Sequence, residues 1–186
     1  MTETVALNRG WEFTERFDDA FARGEGAYEA VELPHTCRIT PYHYFDESEY
    51  QMVCGYRRRI TAPSGYKRVF LHIGAAGHSA EVFVNGKRLA EHRCGYTAFR
   101  TELTDALEPG REALIVVRVD SRETQDFPPF GHVIDYMTYG GLYREVWLEV
   151  RGRAFIDDVF TKPRVDTERG TARLACEATL SGTDDG

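Results

Sequence analysis

The chain has 186 residues, 42% of them hydrophobic and 12% aromatic, enough apolar material to bury the core of one full domain and part of a second. Its formal charge of −7 argues against a polyanionic partner, because nucleic acid and anionic lipid are bound by clustered cations that release counterions. No stretch approaches the ~20 apolar residues that span a bilayer, and the opening MTETVALNRGWEF has no signal-peptide pattern; a soluble cytoplasmic protein that binds neither nucleic acid nor membrane is expected.

Taken in chain order, strand signals dominate and helical periodicity is almost absent. Segment 31 to 55 fits no strand well and is aromatic and polar, which at that length marks a functional loop more often than a structureless one. YRRRITA (56 to 62) follows, rich in β-formers, and its Arg57-Arg58-Arg59 run points to alternating faces; an exposed edge with one buried or paired arginine is the simplest reading. KRVFLHIGA (67 to 75) and AEVFVNGKRLAEH (80 to 92) are the next strands. Within the latter, Asn85-Gly86 predicts a two-residue type I′ turn, since both residues tolerate positive φ, and so a hairpin. LTDALEPG (103 to 110) predicts a brief helical turn capped by Thr104 or Asp105 and stopped by Pro109-Gly110. EALIVVRVDS (112 to 121) sets Ile115, Val117 and Val119 on one apolar face, as a strand packed on a second sheet requires. Segment 121 to 143 is a second long aromatic loop, and REVWLEVRG (144 to 152) closes the series, with Trp11 and Trp147 assigned to the core.

Many short strands separated by turn signals predict an all-β fold, a two-sheet antiparallel jelly-roll sandwich spanning residues 1 to 152. After Gly152 strand character resumes: Leu174, Cys176, Ala178 and Leu180 alternate with Arg173, Ala175, Glu177 and Thr179. Nothing in the remaining sequence covers that apolar face, and an isolated hairpin is marginal in water. Residues 153 to 186 are therefore expected to begin a second β domain that this chain leaves incomplete.

Metal and redox signatures are absent from the pattern. Cys37, Cys54, Cys94 and Cys176 form no CxxC and are expected as reduced, mostly buried thiols. The six histidines show no metal-ligand spacing, so a metal site built from them is not expected and no cofactor is assigned, although backbone and carboxylate oxygens could still hold a hard cation. The densest chemistry lies in IDYMTYGGLYREVWLEV (134 to 150), where Asp135 and Arg144 sit among Tyr136, Tyr139 and Tyr143 around Gly140-Gly141. From these residues alone, Asp135 pairs with Arg144 or caps a turn, and the glycine pair permits a turn from loop into strand that larger residues would not tolerate.

LNRGWEF (7 to 13), VELPHT (31 to 36), GYRRRI (55 to 60), AEVFVNGKRLAEHRCGYTAF (80 to 99), LTDAL (103 to 107), VRVDS (117 to 121) and DYMTYGGLYREVWL (135 to 148) together resemble the amino-terminal, galactose-binding-like sugar-binding domain of glycoside hydrolase family two. That family holds β-galactosidases, β-glucuronidases and β-mannosidases. The resemblance implies a jelly roll, then an immunoglobulin-like sandwich beginning near residue 153, then a (β/α)₈ barrel with two catalytic glutamates. A barrel needs about 250 residues, so no catalytic residue is expected within this chain, which should be inactive alone. The resemblance further implies a substrate-binding role for Asp135 toward a β-galactoside or β-glucuronide, with a cation near Asp135 in the full enzyme as one arrangement the family uses. It places Gln51, or less well Glu49, as a second polar contact, and gives Gly140, Gly141, Arg144 and Tyr136 loop-shaping roles. Phe127 and Phe130, flanking Pro128-Pro129, form an apolar element suited to meeting the barrel, while His132 shares their loop. The family's enzymes often assemble as homo-oligomers through this domain. The competing reading is a free-standing carbohydrate-binding or protein-interaction module, since fold does not fix function.

Overall fold

The computed structural model describes residues 2–43, 46–131 and 138–182. The chain builds an antiparallel two-sheet β-sandwich, the fold class the alternation predicts. One sheet has four strands in the order β1 (Glu3–Ala6), β10 (Val146–Arg151), β5 (Arg68–Ile73), β8 (Phe99–Glu102). The other has six, in the order β3 (Glu29–Val31), β2 (Trp11–Thr14), β4 (Val53–Thr61), β9 (Glu112–Asp120), β6 (Ser79–Val84), β7 (Lys87–Arg93).

The core lies between the sheets and follows the two-residue period. Ile115, Val117 and Val119 of β9 face inward beside Val82 and Val84 of β6, opposite Val69, Leu71 and Ile73 of β5 and Val146 and Leu148 of β10. Asn85 and Gly86 take φ values of 50° and 80°, the left-handed pair that a type I′ turn demands, and Asn85 Oδ1 also accepts from the Leu114 amide at 2.9 Å. A short helix, α1 (Asp19–Ala22), is capped by Asp18, whose carboxylate accepts from the Phe21 amide at 2.8 Å. It covers the outer face of β4, where Phe17 and Phe21 close over Gly55 so tightly that a Cβ there would lie 2.9 Å from either ring.

Four expectations need correction. The arginine run lies not on an edge but in β4, a central strand between β2 and β9. Its buried member is Arg57, paired with Glu12, bonded to the carbonyl of Phe21 at 3.1 Å and to that of Glu25, with its guanidinium 4.3 Å over the Phe21 ring. The turn Thr104–Ala106 is a 3₁₀ turn whose N-cap is Leu103, with no side-chain cap; Thr104 Oγ1 instead accepts from the Val69 amide at 3.1 Å and so ties the turn to β5. Trp11 is core, but Trp147 lies half-buried on the outer face of the four-stranded sheet, its ring stacked on His72 at 4.9 Å and 13°. Its alternation with the inward Val146 and Leu148 dictates that placement. Cys37 and Cys54 are buried, whereas Cys94 is half-buried and Cys176 exposed; all four are free.

Beyond the sandwich stands a two-stranded hairpin, β11 (Phe155–Asp166) with β12 (Thr171–Ser181). Its register pairs Val159 with Ala178, Thr161 with Cys176, Pro163 with Leu174 and Val165 with Ala172, collecting the apolar residues on one face. That face is open, with Val165 70% and Leu174 61% exposed. At its base Phe155 packs edge-on against Phe70 at 5.6 Å, Arg151 lies 4.5 Å over the Phe155 ring, and Arg100 pairs with Asp157.

Candidate functional site

One end of the sandwich gathers the loops that the sequence singles out. Four backbone bonds stitch residues 140 to 145 to two separate segments: Cys37 N to Gly140 O at 3.0 Å and His35 N to Leu142 O at 2.8 Å from the stretch after β3, and Gly77 N to Gly141 O at 3.0 Å and Gly74 N to Glu145 O at 2.9 Å from the stretch after β5. Both sheets thus contribute to the seat of the glycine pair.

Steric demand explains why both positions are glycine. A Cβ on Gly140 would lie 2.5 Å from the Cys37 sulfur and 2.5 Å from Cβ of Ser121. Gly141 has φ +106°, and a Cβ there would lie 2.6 Å from the Tyr56 hydroxyl and 2.8 Å from the His35 carbonyl. Tyr56 faces inward from β4; its hydroxyl meets Nδ1 of His35 at 2.9 Å, and burial raises its pKa far above that of a free phenol. Ser121 Oγ donates to the Tyr50 carbonyl and accepts from the Met52 amide at 3.0 Å, so the segments before β4 and after β9 share one clasp. The result is a stiff floor.

Asp135, Tyr136 and His132 lie outside the described residues. Gln51 is half-buried, and its Oε1 accepts from the Glu123 amide at 3.4 Å, which ties it to the start of the second long loop. Arg144 is exposed, donates to the Tyr96 carbonyl at 3.0 Å and lies 5.6 Å over the Tyr143 ring. Tyr143 in turn donates to Gly95 O, so the pair fastens the 94 to 97 turn to the strand entry. Phe127 is half-buried and Pro129 buried, while Phe130 is 47% and Tyr139 51% exposed. Aromatic surface therefore stands open at this end.

Sequence reasoning missed several residues here. Nothing in the pattern marks Cys37, Tyr56 and Ser121 as neighbours of the glycine pair, because the contacts join segments up to a hundred positions apart. His78 is another: buried to 2% exposure, its two ring nitrogens have no hydrogen-bond partner among the described residues, and burial lowers its pKa against the opposing pull of Glu123 and Asp120. Glu123 accepts from the Thr138 hydroxyl at 3.0 Å.

Other surfaces offer less. A groove on the outer face of β6, β7 and β9 is lined by Glu81, Glu91, Arg118, Asp120 and Arg122, whose charges answer one another: Arg118 with Glu81 at 3.0 Å, Arg122 with Asp120 at 2.6 Å. Burial works against the Asp120 carboxylate, but its bonds from Arg122 hold the pKa below the usual range. Among the described residues no three His, Cys, Asp or Glu side chains group as a metal site would need, and no helix is long and apolar enough to cross a membrane.

The described part of this end is an antiparallel sandwich rim with a glycine-pinned loop platform. No family model matches the chain. In sequence it is nevertheless similar to β-galactosidases and β-glucuronidases. It is 40% identical over 164 residues to the β-galactosidase of Thermoanaerobacter pseudethanolicus, a match covering 85% of this chain and 22% of that enzyme. To the β-glucuronidase of Bacteroides fragilis it is 33% identical over 149 residues, covering 78% of this chain and 20% of the relative. A solved β-glucuronidase from Facaelibacterium prausnitzii L2-6 shares the fold with a TM-score of 0.82 and 27% identity, over 100% of this chain and 29% of that one. The chain thus spans about a fifth of the length of the curated relatives it matches.

Proposed function

We propose that this chain is the sugar-recognition domain of a retaining β-glycosidase of glycoside hydrolase family two, acting on a β-galactoside or β-glucuronide. The observation that carries the reading is 40% identity to a β-galactosidase along 85% of the chain. In this reading residues 1 to 152 form the recognition domain, residues 153 to 186 open an immunoglobulin-like domain, and the two catalytic glutamates belong to a barrel encoded elsewhere in the protein. The open apolar face of the β11–β12 hairpin and the exposed rings of Phe130 and Tyr139 are surfaces for those domains.

Asp135 is the ligand-contacting residue of this reading. A carboxylate offers two strong acceptors to neighbouring sugar hydroxyls, and the floor under Gly140-Gly141 gives the adjacent chain a stiff support. Gln51 is better read as a brace than as a second contact, because its amide oxygen is already engaged by Glu123.

The test is Asp135→Asn in the full-length enzyme. A hydrogen bond to a charged group contributes about 1.5–3 kcal/mol, so kcat/KM should fall by roughly 10- to 100-fold while the thermal midpoint stays unchanged. Unchanged kinetics, or a variant that fails to fold, would assign Asp135 to structure. The alternative of a free-standing module is tested by titrating the isolated chain with galactose, glucuronate and mannose. The glycosidase reading expects affinity weaker than about 1 mM, since one or two hydroxyl contacts do not offset the cost of association.

A further inference from the structure

The outer face of the four-stranded sheet, from His72 to the foot of the β11–β12 hairpin, carries a row of ionised side chains that the recognition role does not use. Glu149 of β10 gives its two oxygens to two partners: Oε2 accepts from His72 Nε2 at 2.7 Å, and Oε1 pairs with Arg151 Nη2 at 2.7 Å, all three side chains being less than a fifth exposed. Arg151 then reaches the hairpin. Its Nη1 donates to the Ile156 carbonyl at 3.3 Å, its guanidinium lies 4.5 Å over the Phe155 ring, and its buried Nε has no hydrogen-bond partner among the described residues. Its hold on the hairpin therefore leans on Glu149.

We infer that His72 makes this foot acid-sensitive: a second proton on the imidazole draws Glu149 away from Arg151 and releases the foot of the hairpin from the sandwich.

Charge balance decides the direction. Facing His72 are Glu149 and Arg151 from β10, Arg100 in register on β8 with Glu102 beyond it, Arg68 on its own strand, and Asp157 from the hairpin. Strand β1 sets only Thr4 and Ala6 opposite Glu149 and Trp147, and neither titrates; the Trp147 ring stacks on His72. Each acid already has an arginine: Glu149 has Arg151, Asp157 has Arg100 and Glu102 has Arg68. An imidazolium enters with no acid of its own, so it competes for Glu149 and meets like charge on Arg100 and Arg151. Burial is the leading cause that holds the His72 pKa below 6.5, and those two arginines add to it against the pull of Glu149. Burial also works against the Glu149 carboxylate, but its bonds from Arg151 and His72 hold its pKa below the usual range, so it stays ionised while His72 titrates. Coupling is reciprocal: the arginines that oppose the proton are opposed by it, and these two grip the hairpin at Asp157, Phe155 and Ile156. Opening the foot returns His72 toward its ordinary value, takes up a proton, and is favoured as pH falls.

The experiment uses the full-length protein and hydrogen exchange read by mass spectrometry from about pH 8 to about pH 5, corrected for the intrinsic pH dependence of amide exchange. Exchange at the imidazole C2 position gives the His72 midpoint, and amide exchange at residues 155 to 158 reports the foot. Foot exchange should rise several-fold with that midpoint, while residues 115 to 119 of β9 stay level. His72→Gln keeps an N–H donor for Glu149 but cannot titrate, and its foot should stay closed across the range. Glu149→Gln should be open throughout with no further rise on acidification, and Arg100→Met should raise the His72 midpoint. A foot that exchanges at one rate across the range, a rise that persists in His72→Gln or Glu149→Gln, a rise matched in β9, or a His72 midpoint unmoved by loss of Arg100 would each overturn the inference. None of these readouts depends on whether the enzyme binds a sugar.

Discussion

Strands β9 and β12 carry nearly the same pattern and meet opposite fates. Ile115, Val117 and Val119 alternate with outward residues and are fully buried, while Leu174, Cys176, Ala178 and Leu180 alternate just as regularly and stand in the open. Alternation selects which face of a strand is apolar; a second sheet is what turns that face into a core. Even the outer residue Val116 of β9 is buried, because it lies between Arg57 and Phe83 in register on a face that α1 and its flanking rings help to cover. Stability should therefore be concentrated in the sandwich.

The largest expected effect attacks the sandwich at Arg57. Arg57→Ala leaves Glu12 and the Phe21 and Glu25 carbonyls without their partner, and a broken buried pair costs about 3–5 kcal/mol in chemical denaturation. Ile115→Ala should cost about 2–5 kcal/mol by the same measurement. Gly141→Ala comes next, at about 1–3 kcal/mol from its φ of +106°, with more added by the close approach of the Tyr56 hydroxyl. Gly86→Ala isolates the conformational part, because nothing lies within 4 Å of a Cβ there; it should cost about 1–2 kcal/mol. If the two glycine variants cost the same, the packing argument for the site floor fails.

A smaller effect is expected on acidification. Burial is the leading cause that holds His35, His72 and His78 below the ordinary value of 6.5, so each is neutral in the fold where the unfolded chain would take a proton. Their contribution is whole above about pH 6.5 and is lost as pH falls through the folded-state values. The thermal midpoint should drop over that window, and His78→Gln should flatten the slope without abolishing it. Smallest of all, Leu174→Ser in this chain should change stability by no more than about 0.5 kcal/mol, because an exposed side chain has little burial to lose. A cost near that of Ile115→Ala would erase the contrast between β9 and β12.

Long strands with a clear period were legible in the sequence: β4, β5, β9, β10 and the Asn85-Gly86 hairpin stand close to their expected bounds. The strands of three or four residues, β1, β2, β3 and β8, were less so, because a two-residue period has too few repeats there to stand out and pairing decides them. The need for glycine at 140 and 141 could be read locally, yet its cause could not, since Cys37, Tyr56 and Ser121 reach it from distant segments. Which arginine of the β4 run is buried depended on α1 and Glu12, and no property of three adjacent arginines reveals that.

The joint at the foot of the hairpin has a mechanical consequence. Phe155 against Phe70, Arg151 over Phe155 and the Arg100–Asp157 pair are all side-chain contacts, whereas β10 is held to β5 by a continuous ladder from Val146 to Arg151. A pull on the hairpin tip would load those few contacts first and peel them one at a time, leaving the ladder intact. The joint would act as a fuse, yielding to torque before the sandwich feels it.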